Sequence, residues 1–291
     1  MRPAAGGGTP TGAGGAARLA RLWPRPLPVV MGILNCTPDS FSDGGRFLEL
    51  DRAVAHGLRL LEEGAEIVDV GGESTRPGAE PVPARMEIQR VVPVIETLRR
   101  ERPEALISVD TSKTEVAREA LDAGADLVND VTAGAAPGML EAVAESGAGV
   151  VLMHMRGTPR TMQGETRYDH VVAEVASFLR DRLRAAVDAG VRRDAVWLDP
   201  GIGFGKDDAG NIELLAALPD LAALGQPVLV GPSRKSFIGR ITGAPVGERL
   251  PGTLAALLPA LRCPRAVVRV HDPAPVAQFL TVARAILEAT P

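Results

Sequence analysis

The chain has 291 residues, 45% of them hydrophobic and 3% aromatic, with a formal net charge of -4. That length and apolar content suffice for one large core, and an α/β barrel is the usual single domain of this size. The charge gives no global field for nucleic acid or an anionic membrane, and so few aromatics argue against a base-stacking platform or a membrane belt.

Residues 1–22 are rich in Gly, Ala and Arg and have no apolar stretch of the signal-peptide kind, so a disordered tail is expected ahead of one domain over 23–291. From Leu27 onward, short apolar runs alternate with helical patterns. The runs are 27–35, 66–72, 106–112, 126–132, 149–155, 195–203, 227–233 and 266–272. Helical periodicity falls at 51–63, 84–100, 114–123, 138–146, 170–189, 248–261 and 274–289. Three helices run into the next strand through a Gly step ("EEGAEIVDV", "DAGADLVND", "ESGAGVVLM"), which marks a helix C-cap and a tight turn. Parallel pairing with a helix in each crossover predicts a single (β/α)₈ TIM barrel. The alternative, an open doubly wound sheet, wants a Gly-rich phosphate turn after its first strand, and G-x-G-x-x-G is absent there.

A barrel places its chemistry at the C-terminal ends of the strands. Read in order, those ends supply Asn35; Asp69, Glu73, Thr75 and Arg76; Asp110; Asn129 and Asp130; His154; Asp199; Ser233, Arg234 and Lys235; and Arg269 with His271. Any single one of these reads as a cap or turn residue. Their convergence on one rim reads as a site. Asp110, Asn129, Asp199 and Lys235 suit an uncharged heterocycle with ring nitrogens, an amino group and a carbonyl. Arg269 and His271 share one side of the last strand and, with Asn35, form a patch for a phosphate-type anion. The plainer reading of Arg269 is a salt bridge that steadies the strand. His154 reads as packing at least as well as contact, and His56 and His170 as surface. No His pair has ligand spacing, whereas a hard cation held through Asn35 and ligand phosphates is compatible with the pattern. Cys36 and Cys263 form no C-x-x-C pair, so a disulfide framework or zinc site is not expected and a cytoplasmic location is. No apolar run reaches the roughly 20 residues of a membrane span. Two loops at the rim, 36–45 and 71–87, have the length and Gly/Pro content of lids.

Eight blocks, "MGILNCTPDSFSDGG", "GGESTRPGA", "SVDTSK", "LVNDVTAG", "LMHMRGTPRTMQ", "LDPGIGFGK", "GPSRKSFIG" and "VRVHD", spread over 31–272, resemble the dihydropteroate synthase family in content and order. The resemblance implies condensation of (7,8-dihydropterin-6-yl)methyl diphosphate with 4-aminobenzoate, giving dihydropteroate and pyrophosphate. By motif position, Asp110, Asn129, Asp199 and Lys235 would hold the pterin, with Met153 and Phe204 in its pocket. Asn35, Thr75, Arg269 and His271 would hold the diphosphate, with Mg²⁺ at Asn35. Phe41, Pro77 and Ser236 would shape the aminobenzoate pocket, while Asp43 and Arg76 belong to the two loops. A homodimer follows by analogy alone. Thr114, Ile202 and Pro232 depart from the family's usual residues at positions outside these contacts. The rival readings are a methyltetrahydrofolate:corrinoid methyltransferase, which needs no diphosphate patch, and a non-catalytic pterin-binding homologue, which would have lost loop or patch residues.

Overall fold

The eight apolar runs become eight parallel strands in the computed structural model, which describes residues 14–37, 46–74, 78–158, 160–164 and 166–289. They are β1 (Val29–Asn35), β2 (Ile67–Gly71), β3 (Leu106–Asp110), β4 (Leu127–Asp130), β5 (Gly149–Met153), β6 (Val196–Asp199), β7 (Val228–Val230) and β8 (Ala266–Val270). The strands pair in sequence order and β8 closes on β1, so the doubly wound alternative falls. Helices α2 (Arg46–Glu62), α3 (Ala84–Glu101), α4 (Thr114–Asp122), α5 (Met139–Ser146) and α6 (Val171–Asp188) follow the first five strands. The pattern over 248–261 resolves into α10 (Leu250–Ala256) and a 3₁₀ turn (Leu258–Arg262), and the chain ends in α11 (Pro273–Glu288). The structure adds α7 (Asp208–Ala216), α8 (Leu218–Ala222) and α9 (Ser236–Thr242). The Asp207 carboxylate caps α7 by accepting from the Gly210 N–H at 2.8 Å, satisfying one orphan donor of the first turn. The three Gly steps are as expected, with φ of +100° at Gly64, +107° at Gly124 and +66° at Gly147.

Side chains alternate across each strand, and the two sides have different cores. Val30, Leu34, Val68, Val70, Ile107 and Val109 face outward into the helix layer. Inside the barrel, Val29, Met31, Ile67, Leu106, Leu127, Val151, Trp197, Leu229 and Val267 form a separate apolar floor.

That floor corrects the expected tail boundary. Residues 14–22 are ordered, and the short helix α1 (Gly15–Ala20) lies across the N-terminal mouth of the barrel. Leu19 is 2% and Leu22 9% exposed, both packed into the floor cluster beside Trp23. Burying a leucine of this kind stabilises by roughly 1.5–3 kcal/mol, and an uncovered mouth would leave the floor wet as well. The Ala16 N–H donates to the Gly147 carbonyl at 2.9 Å, and Arg18 Nε donates to Asp126 Oδ1 at 2.5 Å. A mean over 22 residues hides this amphipathic piece. Residues 1–13 lie outside the described chain.

Candidate active site

Strand register puts the polar ends on one rim. Asn35 aligns with Gly71, Gly71 with Asp110, Asp110 with Asn129, and Met153 with Asp199. Asp110 and Asp199 are the last residues of their strands, and two-residue alternation turns both inward above the apolar floor. Lys235 reaches the mouth differently. Arg234 adopts a left-handed φ of +57°, uncommon for a side-chain-bearing residue, and the next residue, Lys235, sits in extended backbone as the N-cap of α9. Arg234 Nε and Nη2 donate to the Asp272 carboxylate at 3.1 and 2.5 Å, and its N–H donates to Thr253 Oγ1 at 3.1 Å, which fixes the turn.

The centre of the mouth is a shared-charge cluster. Arg269 Nε donates to Asp69 Oδ2 at 2.5 Å and Nη2 to Asp110 Oδ2 at 2.6 Å, while Asn129 Nδ2 donates to the same Asp69 oxygen at 3.0 Å. One guanidinium thus serves two carboxylates. Burial pushes the Asp110 carboxyl up to about 7, opposed by Arg269 and reinforced by Asp69, Glu87 and Asp130. Burial works against the Arg269 charge too, yet Asp69 and Asp110 raise its affinity for the proton overall. Asp199 is raised by burial, held back by Lys235 and by the Gly201 N–H at 2.6 Å. Burial lowers the Lys235 ammonium to about 8 against the pull of Asp199. Lys235 also donates to the Ile202 carbonyl and stands 4.4 Å from the centre of the Phe204 ring. Asp199 and Asp110 act on the Lys235 charge, the Phe204 ring lies beside it, Asn129 aligns with Asp110 and Met153 with Asp199, so these six residues share one rim.

The expected anion patch is only partly assembled. Asn35 and His271 line one cavity of about 360 Å³, together with His56, Arg234 and Asp272. Arg269 turns from it toward the two aspartates, so the salt-bridge reading describes its observed contacts. His271 Nδ1 lies 2.9 Å from Ser233 Oγ, which also accepts from the His271 N–H at 3.3 Å. Ser236 is exposed at the start of α9. His56, expected on the surface, is half-buried and lines the same cavity as Asn35, and burial with Arg59 lowers its pKa. His170 is exposed, as expected. His154 is a packing residue: it is 6% exposed, edge-on to Phe178, and 3.0 Å through Nδ1 from Lys206 Nζ. Burial and Lys206 lower it to about 3, so it is neutral at physiological pH. Cys36 is buried and its thiol is pushed up to about 12, too high for a nucleophile.

Comparison with known proteins narrows the chemistry. The family model for pterin binding enzymes matches residues 31–271. The Escherichia coli (strain K12) dihydropteroate synthase is 47% identical over 262 residues, 90% of this chain and 93% of that one. The Synechocystis enzyme of the same name is 46% identical over 283 residues, 92% of this chain and 98% of its own. The Xanthomonas albilineans dihydropteroate synthase solved with 4-aminobenzoic acid is 51% identical, covers 91% of this chain and 94% of its own, and superposes with a TM-score of 0.84. The same enzyme in complex with 7,8-dihydropteroate is similar, at 48% identity, 91% and 95% coverage and a TM-score of 0.81.

The chain belongs to the dihydropteroate synthase family.

Within a dihydropteroate synthase frame, the corrinoid methyltransferase alternative is not favoured. Phe41, Asp43, Thr75, Arg76 and Pro77 lie outside the described residues. The feet of the second loop are described. Glu73 Oε1 accepts from the Val82 N–H at 2.7 Å, and Lys113 Nζ bonds both Glu73 (2.6 Å) and the buried Glu87 (2.5 Å). Sequence reading gave Lys206 no role, yet it is 2% exposed and donates to the carbonyls of His154, Gly201 and Phe204 at 3.2, 3.0 and 2.8 Å. It braces the same turn that Lys235 touches through Ile202. A lysine after "GFG" was the available signal. Of the departures from the family pattern, Ile202 is fully buried, and the Thr114 hydroxyl donates to the Pro137 carbonyl at 2.9 Å. Among the described residues no three His, Cys, Asp or Glu side chains converge as a metal cage. A single carboxamide at Asn35 fits a Mg²⁺ that keeps its waters and takes phosphate oxygens, since that ion often binds few protein ligands.

Proposed function

We infer that the mouth of this barrel carries out the dihydropteroate synthase reaction. The carbon–oxygen bond between the dihydropterin methylene and the diphosphate breaks, and its electron pair leaves with pyrophosphate. The amine of 4-aminobenzoate gives its lone pair to the methylene carbon and loses a proton. What supports this reading is that Asp110, Asn129 and Asp199 stand at or next to the ends of aligned strands at one rim, with both aspartates acting on the Lys235 charge, in a chain of this family.

Asp110, Asn129 and Asp199 present acceptors and a donor to the amino-pyrimidine edge, and Lys235 meets the ring's carbonyl side, with Met153 and Phe204 as apolar walls. Asn35, Thr75, Arg269 and His271 receive the diphosphate, and their charge favours the leaving group as it becomes more negative. Mg²⁺ bound at Asn35 would add positive charge to the leaving oxygens. Phe41, Pro77 and Ser236 flank the aminobenzoate, and the loops carrying Asp43 and Arg76 exclude water. A dissociative displacement is favoured because an electron-rich pterin held by carboxylates stabilises positive charge on the methylene, and such a cation must be kept from water. A cytoplasmic homodimer completes the reading. No described helix is long and apolar enough to cross a membrane, both cysteines are buried thiols, and the exposed Ile241, Val246 and Leu258 offer apolar surface to a second copy.

The deciding assay is pyrophosphate release from dihydropterin diphosphate and Mg²⁺, with and without 4-aminobenzoate. Release that depends on 4-aminobenzoate, with dihydropteroate formed, is the expected result. Tight pterin binding with no release in either condition would make the chain a binding homologue instead.

The two shifted groups in the pterin pocket set the pH dependence. Below about 7 Asp110 holds a proton and stops accepting; above about 8 Lys235 loses its charge. A plot of kcat/KM for the pterin substrate against pH is therefore expected to be a narrow bell between these limbs, since that ratio reports the free enzyme's groups. A flat profile from pH 6 to 9 would remove both residues from the binding step.

A further inference from the structure

We propose that Asp69 is a positioning residue of the pterin subsite, a buried hub that orients Asn129 and Arg269 together. Asp69 lies two residues below the end of β2, on its inward side and fully buried. Its Oδ2 accepts from Asn129 Nδ2 at 3.0 Å and from Arg269 Nε at 2.5 Å, while the second arm of Arg269 reaches Asp110. One oxygen therefore fixes both the amide assigned above to the pterin edge and the guanidinium assigned to the diphosphate. The layer beneath is wholly apolar, as a barrel interior built for stability is. In Asp69's own layer, Asp69 Oδ1 and Ser108 Oγ, on aligned residues of β2 and β3, are buried without a hydrogen-bond partner among the described residues. A carboxylate so placed is worse for the fold than a packed valine or isoleucine. Its value lies in direction. The Nε bond anchors Arg269 to Asp69, so the Nη2 arm can pass from Asp110 to an incoming ligand without the guanidinium leaving the site. This inference rests on the pterin reading above.

The test is Asp69→Asn, which keeps the shape and removes the charge. Affinity for 6-hydroxymethyl-7,8-dihydropterin is measured by calorimetry across pH 6–9, and KM for 4-aminobenzoate by assay. Loss of a hydrogen bond to a charged group predicts pterin affinity weaker by roughly tenfold or more at pH 8, with KM for 4-aminobenzoate unchanged. The acidic limb adds a readout that a structural role would not move. The charged groups acting on Asp110 are Arg269, Asp69, Glu87 and Asp130, and Asp110 in turn acts on Lys235. Without the Asp69 charge, and with Arg269 given wholly to Asp110, that limb is expected at lower pH. Unchanged affinity with an unmoved limb overturns the proposal. Should the variant fail to fold, ¹⁵N-arginine spectra of the parent decide. The Arg269 Nε–H signal, assigned by its loss in Arg269→Lys, is expected to stay hydrogen-bonded when the pterin binds, and its loss on binding would refute the anchor. A parent that does not bind the pterin at all would instead count against the functional reading.

Discussion

Lys235→Met is expected to lower kcat/KM for the pterin substrate by about 10²- to 10³-fold while leaving the fold intact, the scale of removing one member of a buried charge pair. Lys235 is the cation that faces Asp199 across the pocket, and it holds the Ile202 carbonyl and the Phe204 ring in place. With its charge gone, the strongest influence opposing burial at Asp199 is lost, so that carboxyl is raised further and becomes a weaker acceptor. Stability should not follow activity down. The folded-state pKa of Lys235, about 8, is below its ordinary value of 10.5, so between those limits the unfolded chain binds more protons and stability rises with pH. At pH 7 the fold therefore carries a penalty for this charge, which methionine removes. A melting temperature near the parent's, with collapsed turnover and weakened pterin binding, is the expected pair of results. Turnover equal to the parent's at pH 7 would take Lys235 out of the site.

Asp126→Ala should do the reverse, unsettling the fold and sparing the chemistry. Asp126 is fully buried at the N-terminal mouth, opposite the rim. It bonds Arg18 of α1, Arg99 Nη2 of α3 at 2.7 Å and the Ile107 N–H of β3 at 2.9 Å. Removing it leaves two guanidinium groups and a buried N–H without that acceptor, an expected cost of about 3–5 kcal/mol. The loss should appear in the midpoint of urea unfolding, with kcat and both KM values near the parent's where the variant is folded. A midpoint shift below about 1 kcal/mol, the scale of an exposed ion pair, would mean that α1 is not pinned through this carboxylate.

These two residues show what was legible in the chain. Lys235 was found from its sequence because it closely follows an apolar run, a local signal, although the helix it opens was not. Asp126 opens a predicted strand run, yet its partners lie on α1, which a tail average conceals, and on α3. Asp69 was visible as an acid within "IVDVGG" and received no role, because nothing local says that a carboxylate two residues below a strand end is shared by two side chains. Arg269 is the sharpest difference. Strand periodicity placed it beside His271 in an anion patch, and its observed partners lie 200 and 159 positions away in the chain.

The amino-acid sequence by itself determined the alternation of eight strands with helices and the polar character of the residues at or just beyond the strand ends. Those properties depend on two-residue and 3.6-residue periodicities and on Gly caps, each expressed within a dozen residues. Only the tertiary structure decided which polar ends touch, which of them are shifted by burial, and how the N-terminal mouth is closed. Closure of the barrel sets β8 beside β1 and brings Asp69 and Asp110 onto the Arg269 guanidinium, where burial raises the Asp110 pKa. The desolvation and cross-barrel charge that do this come from chain segments with no local relation to one another.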